Sequence, residues 1–404
     1  MKQTNRPRCV AAQWLYTNVG QPIPRGGVEL MPDGTVARVF QLETHGPELP
    51  EVEFYNGVLI PGFVNAHTHL ELSFFDQVFV PGGSMVAFLK QIDSLRIEVN
   101  DTIIQNALAK AYDTFRQEGI VAYGDICNQA DTVGFKKSET FRSVSFIEMF
   151  GANRELGEKA FAVGKQVLEQ FRAAGIADSY LTPHAPYSVG RRLIELMNPF
   201  LEQGRIFSFH FAETGQEYEY MRTGRGEMER LYREDWHRPV DLPSWVEFMD
   251  WMEHFGALGK LILLVHCVRL TREEMARLRE SCPGVSVVLC PASNLFMEGR
   301  LADIEGLHQS GIRVAIGTDS LSSSPSLSIL DQLKLIQRQY AQLPLEVLVR
   351  WATYNGAQAL GFTELGAIEA GKRPGINLLQ GPGLLEGRLK DSTVTPIASN
   401  VALV

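Results

Sequence analysis

Several common signatures are missing from this chain, and each absence removes a class of function. Among 404 residues there are five cysteines (Cys9, Cys127, Cys267, Cys282, Cys290), an odd number with no Cys-x-x-Cys pair. Three lie in apolar, strand-like runs where a free thiol behaves as a small buried hydrophobe, the usage expected in a reducing compartment. Apolar runs such as Leu261 to Val265 are far too short to span a bilayer. The opening residues MKQTNRPRCVAAQWLY hold no apolar core of a signal peptide. A cytoplasmic location is expected. No basic run or arginine-rich patch occurs, and the net charge of −9 argues against binding to nucleic acid or acidic membranes. No G-x-G-x-x-G or Walker-A sequence follows any candidate strand. H-E-x-x-H of metalloproteases and G-x-S-x-G of serine hydrolases are missing too. His69-Leu-Glu71 matches the H-x-E half of the cytidine-deaminase signature, but its P-C-x-x-C partner is nowhere in the chain.

What is present is an ordinary globular composition, 45% hydrophobic, on a chain long enough to bury roughly three quarters of its unfolded surface. From Val10 to about Ile60, short alternating segments are separated by turn signals, including Arg25-Gly-Gly27 and Pro32-Asp-Gly34. The tail from about Gly366 reads the same way. Neither end can bury both faces of a sheet alone, so residues 1–60 and 364–404 are expected to form one small β domain, a sandwich built from both chain ends. Residues 61–363 alternate strands with amphipathic helices, the pattern of parallel α/β architecture. The strand candidates are Val58–Asn65, Ile120–Ile126, Val144–Phe150, Ser179–Pro183, Ile206–Phe209, Leu261–Val265, Val285–Leu289 and Val314–Ile316. Helices are expected over Thr102–Gln117, Gly157–Ala174, Arg191–Gln203, Arg272–Glu280 and Asp303–Gln309. Eight βα units suffice for a closed (β/α)8 TIM barrel, with the chemistry at the C-terminal ends of its strands. An open doubly wound sheet is the alternative. The aromatic, charged insertion from Gly215 to Gly256 is a candidate lid or rim.

Those strand ends carry a concentration of polar groups. The first ends in His67-Thr-His69, and residues two apart on a strand face the same way, so both imidazoles aim at one place. Glu148 follows at the third strand and His184 at the fourth. His210 then Glu213 close the fifth, and His266 the sixth. Pro291-Ala-Ser293-Asn294 stands at the seventh, and Thr318-Asp319-Ser320 at the eighth. One such histidine is most simply a hydrogen-bonded strand-end residue, and an isolated His-x-His is more often that than a ligand pair. Five of nine histidines at these ends point instead to a shared site. Three nitrogens and a carboxylate with an open position suit zinc, and His67, His69, His210 and Asp319 fill those roles. Such an ion lowers the pKa of its water to about 7. His266 is placed to orient that water or polarise a substrate. Glu213, three residues past His210, is assigned general acid/base work.

The runs Pro-Gly-Phe-Val-Asn-Ala-His67-Thr-His69, His184-Ala-Pro-Tyr-Ser, His210-Phe-Ala-Glu213-Thr, Val265-His266-Cys, Cys290-Pro-Ala-Ser-Asn294 and Gly317-Thr-Asp319-Ser closely resemble the amidohydrolase superfamily. The similarity is to its branch of zinc deaminases and triazine-type chlorohydrolases. It covers nearly the whole chain, since the flanking β ends also fit. It implies one divalent metal ion per chain, zinc or in some members iron, and hydrolysis at a carbon bearing an amino group with release of ammonia. The same positions are implied as ligands, Glu213 and His266 as catalytic with Asp319, and His184 as a substrate contact. Thr182-Pro-His184 stands where binuclear members carry a carboxylated lysine, which supports a single metal. Lys372-Arg-Pro-Gly-Ile-Asn377 departs from the usual Ala-Asp and further Asp, a difference far from the chemistry.

His69-Leu-Glu71-Leu-Ser73 is similar to the aminofutalosine deaminases of menaquinone biosynthesis, which deaminate an adenine joined to a ribose-like arm. The expected substrate is therefore a small adenine nucleoside derivative, reacting with water. Cytosine, guanine or s-triazine compounds are the alternatives, and a non-catalytic scaffold relative is the remote one. Glu71 could bond a sugar hydroxyl or ring nitrogen, or simply sit as a loop carboxylate in water. Glu148 could bind substrate or pair with Arg154. Asn294 and Ser320 could hold substrate or a carboxylate behind the site. No partner beyond substrate, water and a second copy in a homodimer is expected.

Overall fold

A computed structural model describes residues 7–42, 51–76, 78–79, 84–94, 100–138 and 140–398. Five strands come first: β1 Arg8–Leu15, β2 Ile23–Pro24, β3 Gly26–Leu30, β4 Val36–Gln41 and β5 Val52–Pro61. Eight follow: β6 Phe63–Thr68, β7 Ile120–Cys127, β8 Arg142–Met149, β9 Ser179–Pro183, β10 Ile206–Phe211, β11 Leu261–His266, β12 Val285–Leu289 and β13 Arg313–Ile316. Two more, β14 Ile376–Gln380 and β15 Thr393–Ala398, close the chain. Both ends do build one sheet, in the order β15-β14-β5-β1-β3-β4 with β2 on β1. Leu378 pairs with Leu59 across it, and Val10, Leu15, Val28, Leu59 and Ile376 share its apolar cluster.

The expected first strand, Val58–Asn65, is in fact two strands in different sheets. β5 belongs to the terminal sheet and β6 to the barrel, and the chain changes sheet at Gly62. A Cβ there would lie 2.4 Å from Val121 Cγ1 and 2.8 Å from the Pro374 carbonyl, so only glycine passes. The run reads as one strand because both pieces are buried, and burial on two faces erases the alternation that would separate them.

The eight central strands form two parallel four-stranded sheets, β6-β7-β8-β9 and β10-β11-β12-β13. Two seams join them into a closed (β/α)8 barrel. At one, Ser208 N–H donates to Thr182 Oγ1 at 2.8 Å and His210 N–H to the His184 carbonyl at 2.9 Å. At the other, Thr318 and Asp319 N–H both donate to the His67 carbonyl, at 3.0 and 3.1 Å. Gly317 is needed at that seam, because a Cβ would stand 2.8 Å from the same carbonyl. Val64, Val121, Val144, Ile206, Leu263, Val288 and Ala315, from seven of the eight strands, share one cluster with Leu360 and Phe362. Side chains from so many strands meet only inside the cylinder.

Polar N-caps start the covering helices, one residue before the expected Thr102 and three before the expected Gly157. Asn100 accepts from Ile103 N–H ahead of Asp101–Gln117, and Asn153 from Leu156 N–H ahead of Arg154–Ala173. The expected lid is partly something else. Trp245–Ala257 is a helix burying Trp245, Phe248, Met249, Met252 and Phe255, with Trp245 stacked on Phe211 at 4.4 Å. Each such side chain contributes about 2 kcal/mol of burial free energy, so this helix is barrel wall. Among the described residues, no helix is long and apolar enough to cross a membrane.

Candidate metal centre

β6 runs past the expected end to Thr68, and β10 and β11 extend to Phe211 and His266, so His67, His210 and His266 sit on regular or just-ending backbone. His67 and His69 face the same way, with ring centroids 5.0 Å apart. His210 lies 4.9 Å from His67 and 5.4 Å from His69 by the same measure. Asp319 Oδ1 stands 3.4 Å from His69 Nε2 and 3.7 Å from His67 Nε2. Ligand atoms of His67, His69 and Asp319 all fall within 4.8 Å of one another, as do those of His67, His210 and His266.

Whether these residues fit a cation is decided by His67. Its ring is 1% exposed, yet among the described residues neither Nδ1 nor Nε2 has a hydrogen-bond partner. A buried polar atom left unpaired costs about 1–3 kcal/mol, and a metal–nitrogen bond removes that cost. Burial holds His69 down to about 4 and pushes His67 and His266 down as well. These are neutral imidazoles, the form that ligates. Burial alone would raise the Asp319 carboxyl, but the adjacent ring of His67, its Nε2 3.7 Å away, and the neighbouring imidazoles of His69 and His266 hold it well below the usual range. His210 differs: burial lowers it, but Glu148 Oε1 at 3.3 Å from Nδ1 pushes it up to about 9. A cation at Nε2 would displace that proton. The donor set fits a divalent ion.

Around this set, hydrogen bonds fix the Asp319 carboxylate and the His266 ring. Asp319 Oδ1 accepts Ser320 N–H at 2.8 Å, and Oδ2 accepts the hydroxyls of Ser293 at 2.7 Å and Ser323 at 3.1 Å. The Asn294 amide meets His266 Nδ1 at 2.9 Å, leaving His266 Nε2 3.5 Å from Glu213 Oε1. Burial pushes the Glu213 carboxyl up to about 8. Three of the strand ends involved carry left-handed backbone: Ala212 (φ 52°), His266 (φ 73°) and Asp319 (φ 61°). Such strain persists only where the surroundings impose it, and it collects at functional sites.

The structure therefore brings together His67, His69, His210, His266, Asp319 and Glu213. It puts His184 beside them, 5.0 Å from His210 by ring centroids, with Nδ1 on Ser188 Oγ at 2.6 Å. Other candidates stand differently. Glu71 is no solvated loop carboxylate; its oxygens accept Asn128 N–H at 2.7 Å and Gln129 N–H at 3.1 Å, so it anchors a loop. Glu148 does not pair with Arg154, which reaches Glu158 instead; it lies against His210. Asn294 acts on His266, while Ser320 gives its N–H to Asp319 and its hydroxyl meets that of Ser322. Sequence reasoning missed Ser323, and missed a buried ion pair, Lys136 Nζ to Asp125 Oδ2 at 2.6 Å. Asp125 Oδ1 in turn accepts Leu70 N–H at 3.1 Å, tying down the strand end that carries His69. Nothing in a lone lysine on a six-residue helix signals that contact.

Known proteins are similar to this chain in sequence and fold. Adenosine deaminase of Helicobacter pylori is 28% identical over 340 residues, covering 82% of this chain and 81% of that protein. Aminodeoxyfutalosine deaminase of Deinococcus radiodurans is 27% identical over 368 residues, covering 88% and 86%. Among solved structures, Helicobacter pylori aminofutalosine deaminase in complex with methylthio-coformycin superposes with a TM-score of 0.81 at 24% identity, covering 96% of this chain and 97% of that one. The amidohydrolase family pattern matches residues 58–402, from the strand that leads into His67 and His69 to the last strand of the terminal sheet, and the chain belongs to that family.

Proposed function

We propose that this chain is a hydrolytic deaminase that replaces the exocyclic amino group of an adenine nucleoside derivative with oxygen and releases ammonia. The preferred substrate carries a ribose-like arm, as aminodeoxyfutalosine does. The observation that carries this reading is the orphaned, buried His67 ring among His69, His210 and Asp319, with a carboxyl of raised pKa close by. The names of the relatives support an adenine nucleoside among amino-bearing rings. His67, His69, His210 and Asp319 would hold one ion, and three imidazole nitrogens with one carboxylate suit zinc. Bound there, the ion would supply Lewis-acid activation of water at neutral pH.

The chain's own groups would do the rest. Glu213, protonated near neutral pH, would donate to a ring nitrogen as water's oxygen adds to the amino-bearing carbon; its carboxylate would then take the proton of the newly added hydroxyl and pass it to the amino group as the C–N bond breaks and ammonia leaves. His266 Nε2 lies between Glu213 and Asp319, at 3.5 and 3.9 Å, where it steadies the attacking oxygen, and Asn294 fixes its ring. His184 offers Nε2 to the purine edge. Phe150, 52% exposed and 6.0 Å from His184 by ring centroids, offers a flat face for stacking. The division into residues 1–60 with 364–404 and residues 61–363 belongs to the same reading. So does a cytoplasmic location, supported by five free, buried cysteines.

The test is ammonia release from aminodeoxyfutalosine, adenosine, 5′-methylthioadenosine, cytosine, guanine and an s-triazine, using protein of measured metal content. Release from the adenine nucleosides at one zinc per chain is expected. Release only from cytosine, guanine or triazine would overturn the substrate reading, and no release from any would overturn the deaminase reading.

A further inference from the structure

Among the described residues, three helices with a serine or threonine N-cap carry glutamate at their third position, and one of them is unlike the other two. Ser244 and Glu247 form a complete capping box at Trp245–Ala257, and Thr271 and Glu274 another at Arg272–Ser281. In each, the carboxylate accepts the N-cap N–H, at 2.7 Å from Ser244 and 2.9 Å from Thr271. Each also meets a cation: Glu247 pairs with Arg191 at 2.6 Å and Glu274 with Arg222 at 3.2 Å. These are ordinary caps near the surface.

Glu217 occupies the same place in Gly215–Thr223, with Thr214 as the N-cap receiving its N–H at 3.2 Å. Its carboxylate, however, reaches one residue further back. Oε2 accepts the N–H of Glu213 at 2.7 Å. The side chain is wholly buried, its Oε1 has no partner, and no ion pair among the described residues includes it. Helix capping alone does not call for such a placement, because a carboxylate at the surface does that work while remaining hydrated, and burying one uncompensated is costly. The residue it grips follows Ala212, whose φ of 52° is strained for a side chain larger than glycine. Such a turn stays in place only if something holds it.

We propose that Glu217 is a positioning residue for the reaction: by accepting the Glu213 N–H it locks the strained Ala212–Glu213 turn and so aims the Glu213 carboxyl at His266 and the reacting carbon. This rests on the role given to Glu213 above. Burial pushes Glu217 up to about 7, so near neutral pH much of it is the neutral acid. Glutamine has the same shape, the same acceptor and an N–H2 in place of the acid's O–H.

The test compares Glu217→Ala, Glu217→Gln and, as a control at the same helical position, Glu274→Ala. All are assayed as metal-loaded full-length enzyme for kcat, KM and metal content, with hydrogen exchange of the peptide spanning residues 211–216. A misplacement of about 1 Å costs about 10²-fold in rate. Glu217→Ala should therefore lose about that factor in kcat with KM nearly unchanged, keep its metal and exchange the Glu213 amide faster. Glu217→Gln should restore kcat to within about tenfold of wild type and the exchange with it. Glu274→Ala should leave both unchanged and lower only the melting temperature. Wild-type kcat in Glu217→Ala, or a Glu217→Gln enzyme as slow as Glu217→Ala with its metal retained, would overturn the proposal. If Glu217→Ala does not fold, Glu217→Gln against wild type decides: slow turnover with metal bound overturns it, near-normal turnover and exchange support it. If wild type releases no ammonia from any substrate, the deaminase reading fails alone, and the exchange of the Glu213 amide still decides whether Glu217 holds the turn.

Discussion

The two halves of the barrel hold their site residues by different means. In the half built from β6 to β9, none of the described non-glycine residues from 52 to 211 has a positive φ. Its ligand His67 stands on β6 and His69 one residue past the strand's end, and buried carboxyl groups secure the loops around them. Asp125, itself paired with Lys136, holds Leu70 N–H, while Glu71 holds the N–H groups of Asn128 and Gln129. In the half from β10 to β13, strained backbone at Ala212, His266 and Asp319 aims the functional groups directly. The difference follows the work assigned to each. Two ligands at the end of one strand need only a stiff frame. A proton carrier and a ring that steadies the attacking oxygen must point inward from strand ends where extended backbone would carry them past the site.

The largest effect should come from breaking the frame at its ligand. His67→Ala should lose the metal and the activity together, a fall of roughly 10³-fold or more given the several kcal/mol that a bound ion supplies; stoichiometric zinc in the purified variant would contradict the ligand assignment. In the strained half, Glu213→Gln should keep its metal and slow turnover by about 10²-fold or more, and a near-normal kcat would remove Glu213 from the chemistry. Next comes the buried pair behind the first half. Lys136→Met strands Asp125 as an unpaired buried charge and should cost about 3–5 kcal/mol in denaturant unfolding. Adding Asp125→Asn should recover most of that loss; a double variant as unstable as the single one would show that the pair is not the cause.

The smallest effect concerns pH. Burial raises Glu71 to about 8 in the folded chain, against about 4.3 when unfolded. The folded state therefore holds more protons between those values, and its stability falls as pH rises through that window. Glu213 and Glu217 act in the same direction, from about 8 and about 7. Glu71→Gln should flatten the decline in melting temperature between about pH 5 and 8 without abolishing it, and an unchanged slope would mean that Glu71 is charged when folded.

Much of this was legible in the sequence, for reasons tied to particular residues. His67 and His69 announce themselves because a two-residue period on a strand fixes a shared direction. Five histidines at strand ends then point to one rim. The helices over Thr102–Gln117 and Gly157–Ala174 were readable from their amphipathic pattern, although the second begins three residues earlier, at Arg154. What stayed hidden depends on contacts distant in the chain. The change of sheet at Gly62 is set by Val121 and Pro374 crowding the same spot. Trp245–Ala257 read as a rim because its aromatics reveal their partner Phe211 only once folded. The roles of Ser293, Ser323 and Asn294 follow from which atom each reaches, and spacing along a chain does not report that.

The central claim is that four side chains drawn from β6, β10 and the end of β13 grip one ion. Anomalous scattering at the zinc edge from crystals of the purified protein tests it directly. The account predicts a single peak about 2.0–2.2 Å from nitrogens of His67, His69 and His210 and from an Asp319 oxygen. A peak that omits any of the four, or none in zinc-replete protein, would contradict it.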